Sequence, residues 1–396
     1  MEKILIVEDN KALAKMLALK IESTLPFEVH NAYSLKEAQL FVRKYDYFMA
    51  LLDTNLPDAH NGEIVDVMLS KNINSIVVSA NMDREFRHKM LEKDIIDYVG
   101  KGGIEDIEYV ISMIRRLHKN QNHTVMLVDD SRVFRNQMKR MLEHLFFNVI
   151  ACAHGEEALN LLQERDDIKI VITDYNMPVM NGLDLTKEIR KIYKKDLLSI
   201  LAISSNNDED ISAMFLKKGA TDFIKKPFSK EEFSCRINNT IEALENIALI
   251  TNSANRDFMT GLYNRRYFLK SLEAYVEDAS QSGEKFAVAM VEIDDINGVN
   301  DNQIISVAET LRSAVQPNDV VARFGSEDFG MLLKNISSQQ TKVVLENISS
   351  HIETLSLTLS IGFTCNNDEA FEEVLNQADM MLYSAKSSGG DKIVGD

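Results

Sequence analysis

Positive charge is the first scarcity in this chain. Against 61 acidic side chains it carries 44 lysines and arginines, a formal net charge of -17. Nucleic-acid affinity rests largely on Lys and Arg neutralising phosphates, so this balance argues against a nucleic-acid partner. Cysteine is scarce too. Cys152, Cys235 and Cys365 are odd in number and lack metal-ligand spacing, so they read as core thiols in a reducing compartment rather than a disulfide framework. Long apolar runs are missing: none reaches the roughly 18 residues that span a bilayer. MEKILIVEDN runs directly into a strand. The expectation is a cytoplasmic protein with no membrane partner.

What is present is ordinary globular material, 45% hydrophobic and 27% charged, over 396 residues. That length accommodates about two to four domains. The strongest signal is self-similarity. Ile4-Leu5-Ile6-Val7-Glu8-Asp9 returns as Val125-Met126-Leu127-Val128-Asp129-Asp130, and Leu51-Leu52-Asp53-Thr54-Asn55-Leu56-Pro57 returns as Ile172-Thr173-Asp174-Tyr175-Asn176-Met177-Pro178, both at an offset of 121. Within each copy, short apolar runs alternate with amphipathic segments such as Ser34 to Tyr45 and Gly155 to Glu164. This is the pattern of β-α units around a parallel sheet. The acids and hydroxyls fall at strand ends, where open α/β sheets place their sites.

One copy offers Glu8, Asp9, Asp53, Ser79 and Lys101; the other offers Asp129, Asp130, Asp174, Ser204 and Lys226. An acid pair with a third carboxylate can bind Mg²⁺, which prefers oxygen ligands and leaves positions for phosphate oxygens. The third carboxylate can attack a phosphoryl group, while the Ser hydroxyl and Lys ammonium take up the new oxygens. A lone acid at a strand end is more often a solvated turn; five such positions recurring in order are not.

These motifs resemble the receiver domain of two-component response regulators, over about residues 1–118 and 122–245. The resemblance implies flavodoxin-like, doubly wound α/β domains phosphorylated on Asp53 and Asp174 by a histidine kinase or phosphotransfer protein. It makes Glu8, Asp9, Asp129 and Asp130 Mg²⁺ ligands together with the acceptor acids, with backbone carbonyls of Asn55 and Asn176 completing the shell. Ser79 and Ser204 become phosphoryl-sensing hydroxyls, Lys101 and Lys226 salt-bridging lysines, and Tyr98 and Phe223 rotameric switches. The copies differ. Lys226 precedes Pro227, expected to be cis, whereas Lys101 precedes Gly102. The acid-to-hydroxyl interval is 26 residues in the first copy and 30 in the second, so the third helix is expected to be trimmed in the first. Asp174 ranks as the surer acceptor beside Asp53, and a first copy that serves mainly in dimerisation is the alternative.

Ser229 and Glu232 form a capping-box signature, and the helical pattern runs on as a linker to about residue 253. Ile237, Ile241, Leu244, Ala248 and Thr251 keep four-three spacing, which suits either a short coiled-coil stripe or one core face.

The last third opens with Asp257-Phe258-Met259-Thr260-Gly261-Leu262-Tyr263-Asn264-Arg265-Arg266. Later, VVARFGSEDFGMLL over Val320 to Leu333 reads as a β-hairpin with a glycine and two acids at its tip, which is a metal site or an acidic surface turn. With the apolar strand before Glu292, this order resembles the GGDEF domain of diguanylate cyclases, an α+β, palm-like fold, over residues 254–396. In that family two Mg²⁺ ions clamp GTP. The family's metal acids fall on Glu292 and Glu327, with Asp328 beside the latter, and its first signature glycine on Gly325. Ser326 replaces the second glycine, where a bare backbone lets the hairpin approach phosphates. Asn297 replaces a lysine and Gly390 an arginine; Lys386 remains as a phosphate contact. Asn300 takes a guanine-reading place, yet about eight following residues of the family pattern are missing and the chain passes straight into Ile304-Ile305. Gln316-Pro317-Asn318-Asp319 stands for an Arg-x-x-Asp product-inhibition site, and Gln lacks the cationic fork.

These departures imply a degenerate GGDEF domain that signals through protein interaction with an unidentified downstream partner, with the response regulator a homodimer. Retained Mg²⁺ and GTP binding remains open, and an active diguanylate cyclase making cyclic di-GMP is the alternative. His118, His123 and His144 lack ligand spacing and read as structural or solvated. Lys194-Lys195 and Lys217-Lys218 read as solvated helix faces.

Overall fold

The computed structural model describes every residue except Met82 and residues 206–209, 295–299 and 366–369. Two compact units appear, Met1–Asn246 and Ile247–Asp396.

The first repeat runs β1 (Glu2–Val7), α1 (Lys11–Thr24), β2 (Phe27–Ala32), α2 (Leu35–Lys44), β3 (Met49–Leu52), α3 (Glu63–Ser70), β4 (Ser75–Ser79), α4 (Arg84–Leu91), β5 (Asp97–Gly100) and α5 (Ile104–Asn120). The second runs β6 (Thr124–Val128), α6 (Arg132–His144), β7 (Asn148–Cys152), α7 (Gly155–Glu164), β8 (Ile168–Asp174), α8 (Gly182–Ile192), β9 (Ser199–Ser204), α9 (Asp210–Lys218), β10 (Asp222–Lys225) and α10 (Lys230–Asn255). The sheet orders are β2-β1-β3-β4-β5 and β7-β6-β8-β9-β10, parallel throughout. This doubly wound order reverses between the first and third strands and opens a crevice there. Strands β3, β4 and β6 are buried at every position, the signature of a sheet covered by helices on both faces.

The sequence repeat extends to the caps. Asn10 accepts from the backbone amides of Ala12 and Leu13 to start α1, and Ser131, 121 residues on, accepts from that of Phe134 to start α6. Both helices therefore begin immediately beside the acid pairs. Helix α3 spans 8 residues against 11 for α8, the trimming that the shorter interval foretold.

One apolar cluster runs continuously through both repeats. It joins Ile111, Ile114 and Leu117 of α5 to Met138 and Leu142 of α6 and to Phe233, Ile237 and Ile241 of α10. Phe48 stacks on Phe146 with ring centroids 4.3 Å apart. Each fully buried side chain of this kind contributes about 1.5–3 kcal/mol, an upper bound because denatured chains already bury some apolar surface. Ser229 accepts from the Glu232 amide at 3.0 Å and so starts α10. Of its four-three stripe, Ile237, Ile241 and Leu244 enter this core, whereas Ala248 and Thr251 are exposed.

The C-terminal unit contains β11 (Tyr263–Asn264), α11 (Arg265–Ser282), β12 (Phe286–Ile293), α12 (Asp301–Ser313), β13 (Val320–Arg323), β14 (Asp328–Lys334), α13 (Ser338–Glu353), β15 (Leu359–Thr364), α14 (Phe371–Ser387) and β16 (Ile393–Gly395). Its mixed sheet has the order β11-β13-β14-β12-β15-β16. The packing of α14 on β15 is close: a Cβ on Gly362 would lie 1.9 Å from the Leu382 backbone nitrogen.

Two readings need correction. Only Cys152 is a core thiol; Cys365 is half-buried and Cys235 is exposed on α10. Lys194 and Lys195 lie beyond the end of α8 rather than on a helix face, while Lys217 and Lys218 are exposed on α9. Asn297 lies outside the described residues.

Candidate functional site

Each parallel sheet delivers its acids to one edge because β1, β3, β4 and β5, like β6, β8, β9 and β10, all end there. In the first repeat, Glu8, Asp53 and Ser79 are buried, while Asp9 is exposed. The Lys101 ammonium lies 2.6 Å from both Glu8 and Asp53. Burial pushes the Glu8 carboxyl up, opposed by its contact with Lys101. The ligand oxygens of Glu8, Asp9 and Asp53 lie within 4.8 Å of one another, and among the described residues no other trio of His, Cys, Asp or Glu is so drawn in. Three carboxylates at that spacing fit a hard, oxygen-seeking cation such as Mg²⁺.

In the second repeat, Asp129, Asp174 and Ser204 are buried and Asp130 is exposed. Here Lys226 sits 2.6 Å from Asp174 but 3.5 Å from Asp129. Burial raises the Asp129 carboxyl, with Lys226 opposing and Asp174 adding to the rise. The Ser131 amide donates to Asp129 at 2.8 Å, which leaves the lysine-facing oxygen of this buried carboxylate without a close charged partner, a place a divalent cation would suit. The Lys226–Pro227 peptide is cis.

Backbone geometry holds both central acids. The Asn55 amide donates to Asp53 at 3.2 Å and the Asn176 amide to Asp174 at 2.7 Å. Tyr98 is buried and its hydroxyl donates to the Asn81 carbonyl at 2.5 Å; Phe223, without a hydroxyl, is half-buried with its ring 6.0 Å from that of Phe215. Sequence reasoning missed two residues. The buried Thr54 hydroxyl shares a 2.5 Å hydrogen bond with that of Ser79, a contact signalled only by its place next to Asp53. Gly182 allows α8 to start against the acid's own backbone, since a Cβ there would lie 2.1 Å from the Asp174 carbonyl oxygen.

In the C-terminal unit, β13 and β14 form the hairpin, with Phe324 to Glu327 at its tip and Asp328 opening β14. A Cβ on Gly325 would meet the Asp328 carboxylate at 2.6 Å, so glycine permits that side chain to fold back. Glu292 on β12 pairs in register with Asp328. Burial raises the Asp328 carboxyl, with Glu292 and Glu327 adding to the effect. Lys386 forms an ion pair with Glu292, and Ser326 donates to the Glu327 carboxylate. Asn300 is engaged as the cap of α12: its side chain accepts from the Gln303 amide at 3.1 Å, and the Gln303 side chain accepts from the Asn300 amide at 3.0 Å.

Arg323, another residue sequence reasoning missed, ties the hairpin to the start of the domain. It pairs with Asp257 at 3.2 Å and donates to the Ser326 carbonyl at 2.9 Å. Asp257 also accepts from the amide and hydroxyl of Thr260. Asp319 closes its own turn by accepting from the amides of Gln316 and Lys334. Gly390 has φ +73, a left-handed conformation that favours glycine. Each of the three sequence-highlighted histidines has a partner: His118 beside Glu2, His123 beside Glu245 and His144 at the Asp94 carbonyl.

Two flavodoxin-like sheets with an acid–lysine cluster at each crevice, followed by a mixed-sheet domain with an acidic hairpin, define a receiver protein with a palm-like output domain. The chain belongs to the response regulator family: the receiver domain family matches residues 4–112 and 125–238, and the diguanylate cyclase GGDEF domain family matches residues 254–392. It is similar to the response regulator PleD of Caulobacter vibrioides, 22% identical over 453 residues with 99% of each chain covered. The chemotaxis protein CheY homolog of Campylobacter jejuni is 33% identical over 118 residues, covering 30% of this chain and 91% of that one. A solved two-component system response regulator/GGDEF domain protein is 35% identical with a TM-score of 0.55, covering 62% of this chain and 100% of that chain. Among the described residues, no helix is long and apolar enough to cross a membrane.

Proposed function

We propose that this response regulator accepts phosphoryl groups from a histidine kinase or phosphotransfer protein on Asp174 and Asp53, and that its GGDEF domain signals to a protein partner without making cyclic di-GMP. Glu8 and Asp9, and Asp129 and Asp130, would hold Mg²⁺ with the acceptor acids; bound there, the ion neutralises the incoming phosphoryl oxygens. Lys101 and Lys226 already touch the acceptor carboxylates at 2.6 Å and are poised to pair with the new phosphate. Ser79 and Ser204, at the ends of β4 and β9, would donate their hydroxyls to its oxygens, with Tyr98 and Phe223 following the shift.

The observation that carries the inactive output is the capping box at Asn300. The side-chain oxygen of the residue that the family resemblance assigns to guanine is engaged by the Gln303 amide at the start of α12. A base-reading site that loses its partner loses discrimination on the order of 10⁴-fold. The ion pair between Lys386 and Glu292 supports the same reading, because a resident ammonium opposes a metal ion at that acid.

A working cyclase is the second reading, favoured by the gathering of Glu292, Glu327 and Asp328 at one end of the sheet. Incubation with GTP and Mg²⁺, with and without beryllofluoride as a phosphoryl mimic, separates the two. No product is expected; accumulation of cyclic di-GMP, abolished by Glu327→Ala, would establish the second reading. Phosphate incorporation into Asp53→Asn and Asp174→Asn tests the acceptors, with the larger loss expected from Asp174→Asn.

A further inference from the structure

Phe134 is the aromatic on the first turn of α6, and its ring faces the Lys226 ammonium at 3.5 Å from the centroid. It is held there edge-on to Phe228, which stacks in turn on the fully buried Phe233. The equivalent position in the first repeat, 121 residues earlier, is Leu13. Both helices have the same cap geometry, so the comparison is between like positions. Where the residue is Leu13, the lysine bridges both acids at 2.6 Å. Where it is Phe134, and the second acid is the shorter Asp129 in place of Glu8, the lysine keeps the acceptor acid at 2.6 Å and stands back to 3.5 Å from the other.

We infer that Phe134 is a positioning residue that holds Lys226 on Asp174 and off Asp129, reserving Asp129 for a divalent cation, and that the two receivers therefore differ in Mg²⁺ affinity. The physical basis is competition. An ammonium bridging two carboxylates supplies the positive charge a metal would otherwise supply, and must be displaced when the metal binds. An aromatic face attracts that ammonium by about 0.5–2 kcal/mol, depending on desolvation. Leucine offers bulk without that attraction. Phe134 offers no ligand atom to a metal and acts through Lys226.

The inference rests on Asp174 being a phosphoacceptor, and the test separates the two. The full chain carrying Asp9→Asn and Asp53→Asn, which silence the first site, is titrated with MgCl₂ by calorimetry, and phosphate incorporation from acetyl phosphate is followed against Mg²⁺ concentration. Adding Phe134→Leu is expected to weaken Mg²⁺ binding and raise the half-saturating Mg²⁺ concentration by roughly 2- to 30-fold, the range of the lost cation–π attraction. The phosphate plateau at saturating Mg²⁺ stays the same. Phe134→Tyr is expected to retain the parental affinity, and Leu13→Phe to tighten Mg²⁺ binding at the first site of a chain carrying Asp130→Asn and Asp174→Asn. If Phe134→Leu lowers thermal stability yet leaves Mg²⁺ affinity unaltered, or if Phe134→Tyr behaves as Phe134→Leu does, the positioning role is refuted. If the parent takes up no phosphate at all, the acceptor assignment fails instead, and the calorimetric comparison still decides the role of Phe134.

Discussion

Glu245 on α10 gathers Arg116 and Lys119 of α5 and His123 from the turn that follows it. Arg116 meets both its oxygens at 2.8 Å, His123 approaches at 2.7 Å and Lys119 at 3.4 Å. Burial alone would raise the Glu245 carboxyl, but the hydrogen bonds from Arg116 and His123 outweigh it and bring the pKa down from its ordinary 4.5 to about 2. At about 1.36 kcal/mol per pH unit, that gap is worth at most about 3–4 kcal/mol. The Arg116 and Glu245 side chains keep 11% and 19% of their exposure, so screening reduces the figure. About 1–2 kcal/mol is a fair expectation for such a bidentate, partly buried pair.

The sign follows from linkage. The folded carboxyl titrates below the unfolded one, so the stabilisation is present above pH about 4.5 and is lost as the pH falls toward 2. Glu245→Gln and Arg116→Met, singly and together, make the cycle. Urea unfolding followed by circular dichroism gives the free energies, and hydrogen exchange in peptides of α5 and α10 assigns the transition to this unit. A coupling of about 1–2 kcal/mol at pH 7, shrinking below pH 4.5, is expected. A coupling below about 0.3 kcal/mol, or one independent of pH, would refute the reasoning.

Three further outcomes are expected. Gly362→Ala should destabilise the output domain by about 1–3 kcal/mol or more, because the added carbon meets backbone atoms of α14 that cannot yield; its thermal midpoint reports this. Asn300→Ala should cost about 1 kcal/mol through loss of the α12 cap and leave GTP binding by equilibrium dialysis unaltered. A several-fold fall in GTP affinity would return base reading to Asn300. Gly182→Ala should disturb the Asp174 loop and reduce phosphate incorporation, since its Cβ would overlap the Asp174 carbonyl, whereas Ala substituted for the exposed Val179 should not.

Much of the fold was legible because it is written locally and twice. Apolar runs that alternate with amphipathic segments dictate β-α units, and the offset of 121 marks the strand-end acids without any long-range information. The hairpin was legible for the same reason, two apolar runs around a glycine and acids. The positions of Thr54 on Ser79, Arg323 on Asp257 and Phe134 on Lys226 were not legible. Each joins residues distant in sequence, and a threonine, an arginine or a phenylalanine has many other uses. The helical stripe from Ile237 to Thr251 had two meanings, and only packing separated its buried half from its exposed half.

The hairpin at Val320 to Leu333 shows the division. Sequence determined that a glycine-acid tip joins two strands, because the pattern is contiguous and its turn chemistry local. Tertiary structure decided what surrounds those acids: Asp328 opposite Glu292, Lys386 brought to Glu292 from 94 residues away, and Asn300 turned to capping a helix. The physical reason is that charge and hydrogen-bond satisfaction are settled between elements, after the chain has folded, and each buried polar group takes the partner that packing brings within reach.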